Sequence, residues 1–405
     1  MKIQLIAGLL MTLPSLVAAT EPTGFGCYIR DETLDLTPEK WRQHVRLMKQ
    51  AGMNTFCTSY KGHNQLAYMI DIAIEEGMLE TSIPVVVMGR DGEAQFRAAM
   101  GDAAYEQAVA KEKQERGAPP PGWGPIEALG KKMVAEKAKQ ISRCGDRWPE
   151  IVQYGPDEPG HGNPIEDTSD IAAVTQYYND SGARCAMSCI HPNMKNLVPC
   201  TDIMIANAIL GAQPDLKQVK EEVQRINAEQ GTNKEFWVYE IGCREAMPKM
   251  VRWHMGYWTW QIGPRVHLSW SWTDYLTTDI GIGMGQVNEA LRWNREVLSL
   301  NPAPERATQL QSRIEGLEAK LGQFEERRKE ILANPQMNSR LRAYAEGVRD
   351  FYYLTNTEEK LKTMRDQFDW EGWPFDEFVR ARDETGSGMK HAVPDIDFDS
   401  LLPAR

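Results

Sequence analysis

A pair of adjacent carboxylates lies between prolines in Tyr154-Gly155-Pro156-Asp157-Glu158-Pro159-Gly160-His161. Neighbouring acids can divide the work of proton donor and acceptor between them. Cleavage of a glycosidic bond asks for such a division: one acid protonates the leaving oxygen while a second group supports the oxocarbenium-like centre. In an ideal strand, consecutive side chains point to opposite faces. Pro156 and Pro159 disfavour a regular strand, so both carboxylates are expected to reach one pocket. The plainer reading, a solvated acidic turn capping the following helix, stays open beside it.

Positioning such a pair requires a scaffold, and the chain spells one out by alternation. Short β-like runs fall at Gly24–Arg30, Asn54–Tyr60, Ser82–Gly89, Glu150–Gly155, Arg184–Ile190, Ile203–Ile209, Glu235–Ile241 and Val266–Trp272. Helical patterns separate them, at Pro38–Ala51, Leu66–Gly77, Ile126–Arg143, Asp170–Asp180, Asp215–Gln230 and Met247–Gln261. Thr37-Pro38-Glu39-Lys40 supplies an N-cap, a proline at the first turn and an early acid. Eight such runs in this length predict an α/β fold, a (β/α)8 TIM barrel over residues 20–285. A doubly wound open sheet fits less well, since no Gly-rich phosphate loop follows the first run.

In a barrel of this kind the chemistry sits at the carboxyl ends of the strands. Those ends carry Tyr28 and Arg30, Tyr60, the Asp157-Glu158 pair, His191, Asn207, Tyr239 with Glu240, and Trp270 with Trp272. Aromatic faces stack on the apolar faces of sugar rings and carboxylates bond hydroxyls, so the expected partner is an oligosaccharide or polysaccharide. Trp270 and Trp272 share a parity and are expected to line the mouth together or face the helices together. His161 and His191 lack the spacing of a zinc motif. No metal and no cofactor is expected, and His191 reads as a loop histidine bonding substrate. No Gly-x-Ser-x-Gly elbow points to a serine hydrolase.

Tyr154–Pro159 resembles the catalytic strand of glycoside hydrolase family 123 and its relatives. Phe236-Trp237-Val238-Tyr239 looks like their aromatic seventh strand, Arg252–Trp260 like the helix after it, and Ala345–Leu354 like their C-terminal helix. The resemblance implies a β-N-acetylgalactosaminidase-like activity by substrate-assisted catalysis. Asp157 would then orient the 2-acetamido group, Glu158 would be the acid/base, and Tyr239 would bond the acetamido oxygen. Two departures stand out: no N-terminal β-sandwich has room here, and Glu240 stands where a small hydroxyl residue is expected. A glutamate ending strand four and another ending strand seven is also the layout of retaining enzymes with a protein nucleophile, their carboxyls about 5 Å apart. Glu240 as nucleophile, Glu240 in a salt bridge with Arg244, and a carbohydrate-binding barrel without catalysis all remain alternatives on sequence alone.

Composition bounds these readings. The chain has 405 residues, a net charge of −11 and a 42% hydrophobic share with 12 Trp, 13 Tyr and 10 Phe. That describes an aromatic-rich globular protein, and the acidic balance argues against nucleic acid as partner. No internal run reaches the ~18 apolar residues of a membrane span. Lys2, the apolar stretch from Ile3 to Val17 and the small residues Val17-Ala18-Ala19 read as a signal peptide over residues 1–19, and hence export to a periplasm or the exterior. Export permits disulfides; of the seven cysteines, Cys189 and Cys200 form the first pair to expect. Residues 286–405 read as a helical C-terminal extension. Within it Leu310, Ile314, Leu317, Leu321 and Phe324 form a heptad seam of an antiparallel hairpin. A second helix runs near Ser339–Leu354, and these helices offer a homodimer contact.

Overall fold

The computed structural model describes residues 23–29, 37–59, 63–88, 102–116, 148–159, 164–180, 182–190, 193–208, 213–240 and 248–356. Eight parallel strands close in chain order into a barrel. They are β1 (Gly24–Ile29), β2 (Cys57–Ser59), β3 (Val85–Met88), β4 (Ile151–Asp157), β5 (Cys185–Cys189), β6 (Ile203–Asn207), β7 (Glu235–Glu240) and β8 (Val266–Ser269). Each falls on a predicted run, usually shorter by a residue or more at one end or both. The expected helix over Ile126–Arg143 lies outside the described residues.

Strand alternation sorts the side chains into two cores. Val86, Val152, Ala186, Ile203, Ile205, Trp237, Val266 and Leu268 fill the barrel interior, with Tyr28, Tyr154 and Tyr239 above them. The opposite faces, among them Phe25, Cys27, Val85, Met187, Met204 and Val238, pack against the helical layer. Wholly parallel sheets need both faces covered in this way.

The helices are α1 (Pro38–Gln50), α2 (His63–Glu75), α3 (Asp102–Arg116), α4 (Ser169–Asp180), the short α5 (Met194–Leu197) and α6 (Gln213–Gln230). Next comes α7 (Pro248–Trp253), a π-helical turn over His254–Trp258, and α8 (Thr259–Ile262). In α1 the Thr37 hydroxyl caps the Lys40 amide, Pro38 opens the first turn, and Trp41, His44, Val45 and Met48 form the buried stripe. The three tryptophans of the 248–262 stretch, Trp253, Trp258 and Trp260, are all buried in the outer core.

A single helix, α9 (Trp272–Ser299), carries the chain out of the barrel and pairs with α10 (Pro304–Ala333). The heptad seam of α10 meets Val287, Leu291 and Leu298 of α9. Gly283 faces Phe324, and Arg295 bonds Glu318 at 2.7 Å, so the two helices run antiparallel as expected. The last described helix, α11 (Ser339–Asn356), returns to the barrel wall. Phe351 packs edge-on against Phe25 with ring centroids 5.0 Å apart, and the Tyr344 hydroxyl donates to the Gly26 carbonyl. On its other side α11 crosses the π turn at glycines: a Cβ on Gly347 would lie 2.6 Å from the Arg252 carbonyl oxygen. Arg252 clamps the crossing by pairing with Asp350 at 2.7 Å.

The expected Cys189–Cys200 disulfide is not formed. Both are free and buried, the Cys189 thiol against the Ile190 carbonyl and that of Cys200 against Thr168. Cys27, Cys57 and Cys185 are free and buried too, while Cys144 and Cys243 lie outside the described residues.

Candidate active site

β4 does not stop at Pro156. It runs through Asp157, and its register against β5 shifts between Tyr154, opposite Ala186, and Asp157, opposite Ser188. Three residues of β4 therefore oppose two of β5, a bulge at the proline that has no amide to give to the ladder. Immediately after it Glu158 adopts a left-handed backbone with φ 47°. That conformation is uncommon for a residue with a Cβ and is held by its surroundings. The bulge and the left-handed residue bring two adjacent carboxylates to the same end of the barrel, where simple alternation would have parted them.

Ser188, buried on β5, holds this turn. Its hydroxyl accepts the backbone N–H of Glu158 at 3.0 Å and donates to Asp157 Oδ1 at 2.8 Å. The Tyr154 hydroxyl donates to the same oxygen at 2.8 Å. Asp157 is thus fixed through Oδ1, while Oδ2 takes part in neither bond and the residue is open to solvent.

Glu158 is held from across the barrel. The Tyr239 hydroxyl, from β7, donates to Glu158 Oε1, and Asn207 Nδ2, from β6, donates to Tyr239 Oη at 2.7 Å. Asn207 and Tyr239 are register partners on neighbouring strands. Tyr28 sits between these groups, its ring 6.3 Å from Tyr154, 6.2 Å from Tyr239 and 4.9 Å from Trp270. Burial pushes the Tyr28 and Tyr154 phenols well above the ordinary range. Tyr239 is raised by burial first and then by its bond to Glu158. All three therefore keep their protons, and Tyr154 and Tyr239 act as donors. Burial, followed by the charge of Glu158, pushes the Cys189 thiol up to about 12, so it is no nucleophile here.

Of the residues expected at the mouth, Asp157, Glu158, Tyr28, Asn207, Tyr239 and Trp270 come together. Arg30, Tyr60 and His191, like His161, lie outside the described residues. Two expectations need correction. Glu240 follows Tyr239 on a regular strand and so faces the helical layer; it is 3% exposed and accepts from the Tyr275 hydroxyl at 3.3 Å. A carboxylate there lies on the opposite strand face from Tyr239, which meets Glu158, and this argues against it as the nucleophile. Trp272 parts company with Trp270 because β8 ends at Ser269 and a helix begins at Trp272. Its indole is fully buried and donates to His44 Nδ1 at 3.0 Å, while Trp270 stays at the mouth beside Tyr28.

The sequence reading missed Ser188 and did not assign Tyr154 a role. Both were findable as polar side chains at inward-facing positions of otherwise apolar strands. Among the described residues, no group of three or more His, Cys, Asp or Glu gathers as a metal site.

No family model matches the chain, and no curated protein matches it. Among solved structures it is similar to the endo-1,4-β-mannanase from Rhizomucor miehei, at 10% identity over 62% of this chain and 86% of that one, TM-score 0.39. It is similar also to a β-glucuronidase from Ruminococcus gnavus, at 15% identity over 62% of this chain and 42% of that one, TM-score 0.35. A third likeness is to the catalytic domain of a β-amylase from Paenibacillus polymyxa, at 8% identity over 64% of this chain and 94% of that one, TM-score 0.32. Likenesses this distant decide nothing about chemistry, and the barrel rests on its own strand pairing.

Proposed function

We propose that the protein is a retaining glycoside hydrolase that cleaves N-acetyl-hexosaminides with the help of the substrate's own acetamido group. The observation that carries this reading is the pairing of two differently held carboxylates at one strand end. Asp157 is anchored through Oδ1 by two hydroxyls, and Glu158 is bonded to Tyr239. In this scheme Asp157 Oδ2 accepts the acetamido N–H and turns the carbonyl oxygen toward the anomeric carbon. Glu158 protonates the glycosidic oxygen as that bond breaks, and the acetamido oxygen closes a cyclic oxazolinium intermediate. Water then opens the ring, giving its proton to Glu158, and the sugar leaves with its configuration retained. Tyr239 supplies a hydrogen bond to the acetamido oxygen, and Tyr28 and Trp270 offer ring faces to the sugar.

The correction at Glu240 supports this over a protein nucleophile, since that carboxylate lies on the opposite strand face from Tyr239. The test compares aryl 2-acetamido-2-deoxy-hexosides with the same aryl hexosides lacking the acetamido group. Turnover confined to the first set is expected, with Glu158→Gln and Asp157→Asn each at least about a hundredfold slower. Equal turnover of both sets removes acetamido assistance. Binding of glycans with no cleavage of any removes the enzyme reading in favour of a carbohydrate-binding barrel. Export belongs to the same proposal, supported by the leader-like residues 1–19. A protein recovered outside the cytoplasm and beginning near Thr20 is the expected result; retention inside with Met1 intact overturns it.

A further inference from the structure

We infer that Asn207 is a positioning residue, whose side-chain amide commits the one phenolic proton of Tyr239 to Glu158. A phenol has a single proton to give. Asn207 Nδ2 lies 2.7 Å from Tyr239 Oη and donates to it, so the hydroxyl oxygen is occupied as an acceptor on that side. The proton is left to the other neighbour, Glu158 Oε1. The result is a directed chain from amide to phenol to carboxylate, in which each bond polarises the next. Its first member is 2% exposed and its second 4%, so water does not compete for the direction.

Four described groups around the pair are compatible with that direction. Asp157 adjoins Glu158 at the same strand end, but its Oδ1 accepts from the Tyr154 and Ser188 hydroxyls. Cys189 faces it from β5 as a protonated thiol. Tyr28, from β1, is buried beside Tyr239 and also protonated. Tyr239 itself keeps its proton, because burial and the carboxylate both oppose its loss.

The consequence for turnover, which alone rests on the glycosidase reading, follows from counting protons. A substrate carbonyl that arrives at Tyr239 must take the hydrogen bond that Glu158 holds in the resting protein. Tyr239 is then a two-position switch: it aligns the acid before binding and releases it when an acetamido oxygen docks. A substrate without such an acceptor leaves Glu158 tied to the phenol.

The hydrogen-bond direction can be read without any substrate, by NMR of the full chain with tyrosine labelled at the ζ carbon. The Tyr239 signal is identified by its loss in Tyr239→Phe. In the wild type Glu158→Gln is expected to move this signal. Asn207→Asp puts an acceptor where the donor stood, so the phenol turns toward position 207 and its response to Glu158→Gln falls to less than half. Asn207→Leu removes the donor without offering an acceptor, so the response is expected to fall, though less than in Asn207→Asp. An undiminished response in Asn207→Asp overturns the proposal, and so does a response in Asn207→Leu as full as in the wild type. A second measurement does not depend on either variant folding well. Tyr239→Phe must shift the side-chain amide signal of Asn207, and an unmoved signal overturns the proposal.

Turnover of an aryl N-acetyl-hexosaminide on the same proteins separates the two claims. Asn207→Asp is expected to lower kcat about tenfold or more with KM within about threefold. Full activity in Glu158→Gln would sink the acid/base reading while leaving the NMR result to decide the hydrogen bond.

Discussion

Ser188 has one oxygen and two duties: it receives the Glu158 amide and donates to Asp157. Ser188→Ala therefore loosens both acids at once. Loss of a buried hydrogen-bonded hydroxyl costs about 1–3 kcal/mol of stability. A misplacement of about 1 Å at reacting groups can cost about a hundredfold in rate. We expect Ser188→Ala to fold, with turnover of an N-acetyl-hexosaminide down about tenfold to a hundredfold; unchanged kcat would show that Ser188 serves only the strand. The acids were legible in the sequence because Asp-Glu between prolines is a local pattern. Ser188 was legible only as a polar side chain on an inward face, since its partner depends on which residue of β4 a bulge sets opposite it. Glu240 misled for the related reason that nearness in sequence to Tyr239 means opposite faces on a regular strand.

At the scale of elements, the positions of all eight strands were legible, because an alternating chain has few ways to bury them. Their ends were less so. β8 was expected to reach Trp272, but hydropathy does not distinguish an outgoing strand from the buried first turn of α9. The crossing of α11 with the π turn was hidden as well, because glycines in a helix give no sign of what they approach. Gly347 approaches the Arg252 carbonyl so closely that any side chain must push the helices apart. Gly347→Val should lower stability by more than about 2 kcal/mol in urea unfolding. Gly316, in α10, has nothing within 4 Å of where a Cβ would stand, so Gly316→Ala should raise stability by about 0.5–1 kcal/mol. If both substitutions act alike, helix propensity rather than crowding governs these sites.

Across the whole molecule, the outer core holds histidines that burial keeps neutral. His44 is lowered to about 4 by burial, and its Nδ1 already accepts the Trp272 indole N–H, which a proton there would displace. His254 is lowered to about 4 for the same first reason, and His267, bonded to Thr259, lies well below its usual range. Between about pH 6.5 and 4 the unfolded chain binds protons that these folded histidines refuse, so stability falls as the pH drops through that window. The loss is on the order of 3 kcal/mol each for His44 and His254. Urea midpoints measured from pH 7 to 4 should decline, and His44→Gln should flatten the decline; a midpoint that rises on acidification contradicts this assignment.

The last described helix has a consequence for how the chain is made. β1 leaves the ribosome before the other seven strands of the barrel, yet Gly26 waits 318 residues for the hydroxyl of Tyr344 and Phe25 waits for Phe351. Contacts of such separation form slowly. During synthesis an incomplete barrel must therefore stand with one wall bare, and a nascent chain halted before residue 339 would present Phe25 and the groove over Gly52 to chaperones or to its neighbours on the polysome. Until α11 docks, that wall stays exposed.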